Sequence, residues 1–209
     1  MPALARIASA LGRRDDLPDR ELAADLARTR DRSGVAEIAS GLQDRNPRIQ
    51  SDCIKVLYEI GYLDPDLVAP YAADFLGLLA SRNNRLVWGG SIALATVAAC
   101  AADELYPHAD EILAALRTGS VITVDNAVRT LAGLAAARAD YNRALFPHLL
   151  EHLATCRPKE LAQHAESSLP AVTAENRPAF LQVLAARSGE LTAVQQARVK
   201  KVVKAAGGG

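Results

Sequence analysis

Leu86-Val87-Trp88-Gly89-Gly90-Ser91-Ile92-Ala93-Leu94-Ala95-Thr96-Val97 decides the fold, because the same pattern stands on both sides of it. Upstream is Ile49-Gln50-Ser51-Asp52-Cys53-Ile54-Lys55-Val56-Leu57-Tyr58-Glu59-Ile60, and downstream is Thr123-Val124-Asp125-Asn126-Ala127-Val128-Arg129-Thr130-Leu131-Ala132-Gly133-Leu134. Leu57, Leu94 and Leu131 are 37 residues apart, and Ile60, Val97 and Leu134 keep that register. Cys53, Gly90 and Ala127 share one position, and small side chains there suit helices that approach closely. With an offset of one residue, Ala165, Leu169 and Val172 make a fourth copy.

Before each copy lies a second amphipathic segment: Val35 to Leu42, Asp66 to Ala80, Leu105 to Leu116, and Tyr141 to Ala154. Their apolar residues recur at helical spacing, as in Phe75, Leu76 and Leu79, or Leu149, Leu150 and Leu153. Pro70, Pro107 and Pro147 fall near the starts of these first helices, with Pro70 late enough to kink its helix. Ahead of the repeats, Pro2 to Leu11 and Pro18 to Arg30 read as short capping helices. After them, Ala174 to Ala186 and Thr192 to Ala206 form a more charged terminal pair. The chain is therefore expected to be all-α, an α-solenoid (superhelix) of about five helix pairs with an N-terminal helical cap. The cap covers 1–33, four repeats cover 34–172, a C-terminal capping pair covers 173–206, and 207–209 is a flexible tail.

Between the first two helices of the array stands Asp44-Arg45-Asn46-Pro47-Arg48-Ile49. This resembles the inter-helix turn of HEAT repeats, an aspartate followed by proline and then a β-branched residue entering the second helix. Asp44, Pro47 and Ile49 carry the match, while Ser81 and Thr118 stand in the aspartate's place in later copies. HEAT and armadillo repeats share this periodicity, and the resemblance implies a scaffold rather than a particular chemistry.

Composition agrees with closely packed helices, since half of the residues are hydrophobic but only 4% are aromatic. Lys plus Arg and Asp plus Glu are 24 each, so nothing global points to nucleic acid or a membrane surface. Cys53, Cys100 and Cys156 lie far apart and read as packing residues in a reducing compartment. The N-terminal apolar run is broken by Arg6 and lacks the layout of a secretory signal. A cytoplasmic protein is expected, and the alanine- and arginine-rich usage hints at a bacterial source.

His148-Leu149-Leu150-Glu151-His152 matches the H-x-x-E-H pattern of some zinc proteases. Here it falls on an amphipathic first helix whose leucines turn inward, so both histidines are expected at a flank in water, and no metal or cofactor is expected. Gly119-Ser120 and Gly89-Gly90-Ser91 lack the lysine and spacing of a phosphate loop. The basic pattern Arg198, Lys200, Lys201 and Lys204 suits the negative end of a terminal helix.

The register also defines a polar ridge on the second helices. Ser51, Trp88 and Asp125 are equivalent, next to Asp52, Gly89 and Asn126, with Lys55, Ile92 and Arg129 a turn further on. Arg48 and Arg85 precede them, and His164 comes from the fourth repeat. Trp88, the single tryptophan, is either a recognition residue or a packing residue of its own repeat. Arg48, Ser51, Asp52, Lys55, Arg85, Trp88, Asp125, Asn126, Arg129 and His164 are thus the expected partner-binding residues. They suit a non-enzymatic scaffold that binds a protein or peptide on its concave face. The alternative is a nucleic-acid-binding protein similar to alkylpurine DNA glycosylases, and self-association through exposed helix faces is a third reading.

Overall fold

The computed structural model describes residues 1–207, whose regular elements are all helices, with no strand among them. The last two residues of the tail expected at 207–209 lie outside the described residues. The chain opens with a 3-10 turn at Ala3–Arg6 and then α1 at Leu17–Thr29. Pro18 sits in the first turn of α1, where its missing N–H costs little.

Five helix pairs follow among the described residues. The first is α2 (Arg32–Ser40), extended by a 3-10 turn at Gly41–Gln43, with α3 (Pro47–Leu63). The second joins the broken helix α4 (Pro65–Val68) and α5 (Ala72–Gly77) to α6 (Asn84–Val97). The third repeats this with α7 (Ala102–Leu105) and α8 (Ala109–Thr118) before α9 (Val121–Ala137). The fourth is α10 (Ala139–Thr155) with α11 (Pro158–Ser168), and the fifth is α12 (Arg177–Ala186) with α13 (Ala193–Ala205).

The breaks have a common cause. Pro70 and Pro107 occupy the 3-10 turns Ala69–Tyr71 and Tyr106–His108, because a proline cannot donate the bond that would continue the α-helix. Pro147 departs from the expected position near a helix start. The fourth first helix begins at Ala139, so Pro147 lies in its interior, and Arg143, whose carbonyl loses a donor, is on the exposed side.

Second helices stack in order, α3 on α6, α6 on α9, α9 on α11 and α11 on α13; α2, α5 and α8 pack on their own second helices, whereas α10 packs chiefly on α9 and α12 on α10. Leu57, Leu94, Leu131, Ile60, Val97 and Leu134 are all buried along this stack. The shared small-residue position works as expected. A Cβ on Gly90 would come within 2.8 Å of Leu78 Cβ and 2.9 Å of the Phe75 carbonyl, and one on Gly89 within 2.6 Å of Ile54 Cγ1. Cys53 and Cys156 are buried, whereas Cys100, expected to pack, is exposed near the end of the α6 segment.

The inter-helix turns repeat in detail even where the residues change. Asp44 accepts a hydrogen bond from the Asn46 N–H (2.7 Å), and Asn46 caps α3 by accepting from the Arg48 N–H (3.0 Å). One period later, Ser81 accepts from the Asn83 N–H (3.1 Å), and Asn83 accepts from the Arg85 N–H (3.1 Å). Serine thus does the aspartate's local work. In the third pair the arrangement changes: Thr118 donates back to the Ala114 carbonyl, and Ser120 becomes the N-cap of α9.

At the N-terminus, the segment between the first turn and α1 is tied down by two carboxylates. Asp19 accepts from the Ala8 N–H (2.8 Å), and Asp52 of α3 accepts from the Ser9 N–H (2.7 Å). Burial, opposed by the Ala8 N–H and reinforced by the neighbouring Asp52 and Asp16, lifts the Asp19 carboxyl to about 6.

In urea unfolding, Gly89→Ala loses about 1–3 kcal/mol through overpacking against Ile54, while Gly77→Ala, whose Cβ meets nothing within 4 Å, gains about 0.5–1 kcal/mol. Equal effects of the two would contradict the close approach at Gly89. Because the folded-state value of Asp19 is raised, its contribution favours folding below the ordinary carboxylate range and is lost as pH rises through about 6. Asp19→Asn should therefore gain in melting temperature relative to wild type between pH 4 and 7, and a constant difference across that window would contradict the burial of this carboxylate.

Candidate partner-binding site

The first turns of α3 and α6 lie side by side, and the N-terminal segment folds across their outer end. Together they line a cleft of about 760 Å³ whose walls include Arg14, Arg48, Lys55, Arg85, Trp88 and Ile122. Six of the ten sequence-predicted residues meet here: Arg48, Ser51, Asp52, Lys55, Arg85 and Trp88.

Their roles within the cleft differ. Ser51 donates to the Pro47 carbonyl, and Asp52 is committed to the Ser9 N–H. Lys55 bridges Glu59 (2.7 Å) and Asp16 (3.3 Å) and lies 4.9 Å from the Tyr58 ring centroid. Burial opposes its charge, but the Glu59 carboxylate and the Tyr58 hydroxyl together more than compensate and hold the ammonium above its ordinary range. Asp52 and Lys55 therefore anchor the N-terminal segment.

Trp88 is half-buried, and its indole N–H donates to the hydroxyl of Ser120 (3.0 Å), the N-cap of α9. It is both a strut between repeats and a partly open aromatic wall. Beside it, Ile122 is 40% exposed, so the cleft wall carries apolar surface open to solvent.

Charge in the cleft is unevenly committed. Asp15 pairs with Arg13, Asp16 with Arg20 and Lys55, Asp19 with the Ala8 N–H and Asp52 with the Ser9 N–H. Arg14, Arg48 and Arg85 have no ion-pair partner among the described residues and are exposed. The charge available to a partner is therefore positive, although the whole chain is neutral.

The other expected residues lie further along the stack. Arg129 is exposed, one turn beyond Asp125 and outside the cleft lining. Asn126 is buried and donates to the Ile122 carbonyl (2.8 Å), so it is no surface group. His164 is also a correction, being fully buried: α11 packs directly on α9, which puts its ring between Asp125 Oδ1 (2.8 Å) and His152 Nε2 (2.9 Å). His152 in turn is not on a watery flank. It is half-buried, and burial, with His164 beside it, lowers its pKa to about 4. At the end of the array, Arg198 is paired with Glu166 of α11.

Sequence reasoning missed Arg14, Tyr58 and Ile122 as lining residues. The run Arg13-Arg14-Asp15-Asp16 is plain in the sequence, but the Ser9–Asp52 and Ala8–Asp19 bonds and the Lys55–Asp16 pair are what carry it to the ridge.

No protein-family profile matches the sequence, and no curated protein matches it. Among solved structures, the chain is similar to an engineered protein of the Northeast Structural Genomics Consortium, with a TM-score of 0.69 and 16% identity over 100% of this chain and 98% of that one. A designed armadillo repeat protein in complex with the peptide (KR)4 matches with a TM-score of 0.68 and 12% identity, covering 89% of this chain and 86% of that one. Kap121p bound to Ste12p matches with a TM-score of 0.65 and 17% identity, covering 90% of this chain and 21% of that one. No helix of the described residues is long and apolar enough to cross a membrane. The fold is that of the HEAT/armadillo type of helical-repeat solenoid.

Proposed function

We propose that the protein is a non-enzymatic scaffold that binds an extended peptide or protein segment across the first turns of α3 and α6, on what this reading takes as the concave face. The observation that carries it is the set of uncommitted guanidinium groups, Arg14, Arg48 and Arg85, around the half-open Trp88. Forked cations beside an aromatic wall and the exposed Ile122 favour a segment that alternates carboxylates with apolar side chains. The solved neighbours that hold a peptide or bind Ste12p lend support by fold only. Guanidinium groups also suit phosphate, but the four aspartates set among them in the cleft weigh against a polyanionic backbone and in favour of a peptide segment.

Trp88 is the single tryptophan, so its fluorescence reports directly on the site. Titration with an Asp/Glu-rich apolar peptide should change the emission saturably, while a Lys/Arg-rich peptide of equal length should not. Arg48→Ala and Arg85→Ala should each weaken binding by about tenfold, the loss of one charge-assisted hydrogen bond. Unchanged affinity in both variants, or tighter binding of duplex DNA than of the acidic peptide at low salt, would overturn the reading.

A further inference from the structure

The stack brings together a second group of side chains that the ridge does not use. His152 and Cys156 are one turn apart at the end of α10, and His164 faces them from the middle of α11. One ligand-type atom from each of the three lies within 4.8 Å of the others. We propose that His152, Cys156 and His164 form a binding site for a borderline-soft divalent cation of the zinc class, with its fourth position open to the neighbouring cavity.

Donor chemistry supports this choice. Two imidazoles and a thiolate are a ligand set for zinc and not for calcium or magnesium, which take oxygen. Tetrahedral zinc separates such donors by roughly 3.3–3.7 Å, so the two histidine nitrogens need to part by only a few tenths of an ångström from 2.9 Å and the thiol to close in.

Two of the three ligands, His164 and Cys156, already have the outer partner that metal binding needs. Asp125 accepts from His164 Nε2 (2.8 Å), which fixes the proton on that nitrogen and leaves Nδ1 bare toward His152. The proton between the two rings therefore sits on His152 Nε2. Arg187, buried at 7% exposure, places Nη1 3.6 Å from Cys156 Sγ, where a cation steadies a thiolate. It is held there by the Leu153 and Cys156 carbonyls and by Glu190. His152, with its lowered pKa, is neutral at neutral pH.

A cavity of about 680 Å³ touches His152 and Cys156 and is rimmed by His148, Glu151, Arg157 and Glu160. The open position faces this space. Binding balances as follows: the cation takes the lone pairs of His164 Nδ1 and His152 Nε2, the displaced Nε2 proton moves to His152 Nδ1, and the Cys156 thiol loses its proton to solvent. Burial keeps that thiol protonated before metal arrives, so one proton leaves per cation. The linear H-x-x-E-H motif is not this site, because His148 stays at the rim.

The test uses the full chain, reduced with a non-thiol reductant and stripped of metal by a chelator. Zinc in equilibrium dialysis should bind at one per chain, with about one proton released at neutral pH. Cobalt(II) should give visible d–d bands of a tetrahedral centre and a near-ultraviolet thiolate charge-transfer band. Cys156→Ser should remove the charge-transfer band, and His152→Ala and Asp125→Asn should each weaken binding by about 10–100-fold. His148→Ala should leave all of this unchanged. Substoichiometric zinc in the wild-type chain, stoichiometric cobalt without the charge-transfer band, or binding lost with His148→Ala but kept with Cys156→Ser would each overturn the site. Helical circular dichroism of every variant separates lost ligands from lost fold.

Discussion

Two adjacent close approaches in the array occur where α6 has no side chain at all. Gly89 lies against Ile54 of α3, and Gly90 against Leu78 and the backbone of Phe75 from its own first helix. Two adjacent glycines inside a helix weaken it intrinsically by roughly 0.5–1 kcal/mol each. That loss is offset by burial of Leu94, Val97, Ile54 and Phe75, which are fully or almost fully removed from water. Interhelical distance follows from this contact, and with it the pitch at which the second helices stack and the alignment of their exposed positions.

Equivalent ridge positions act first as ties between neighbours. Trp88 reaches forward from α6 to the cap of α9, and Asp125 reaches forward from α9 to His164 of α11. Each bond joins a second helix to the next one, so the ridge stabilises the stack laterally while the leucine anchors hold it from beneath. The cost is recognition surface: Asp125 and His164 are spent on one another, and, Arg129 apart, the ridge residues that remain open lie at the N-terminal end around Arg48 and Arg85.

The two chemically distinctive regions follow from this gradient. Near α3 and α6 the carboxylates are satisfied by backbone N–H groups and nearby cations, leaving guanidinium groups to face solvent. Near α10 and α11 polar groups turn inward instead, and His152, His164 and Arg187 are wrapped by apolar helices. An open cleft suits reversible recognition, and a largely buried cluster of nitrogen and sulfur suits tighter ligation.

Periodicity alone carried the architecture, because a helix that must bury one stripe against its neighbours writes that stripe into sequence at fixed spacing. The 37-residue register named the anchor leucines, the close-approach position at Cys53, Gly90 and Ala127, and the ridge on which Arg48, Arg85 and Trp88 do lie together. Which polar groups remain free was not legible. Asn126 and His164 look like ridge residues in any helical wheel, yet one folds back onto its own helix and the other is covered when α11 closes on α9. His152 reads as a flank residue until Cys156 and His164 arrive from the turn and the next helix. Local pattern specifies which side of a helix faces inward, whereas commitment of a side chain at the edge of that face depends on partners 30 to 40 residues away, and only the packed stack brings those into range.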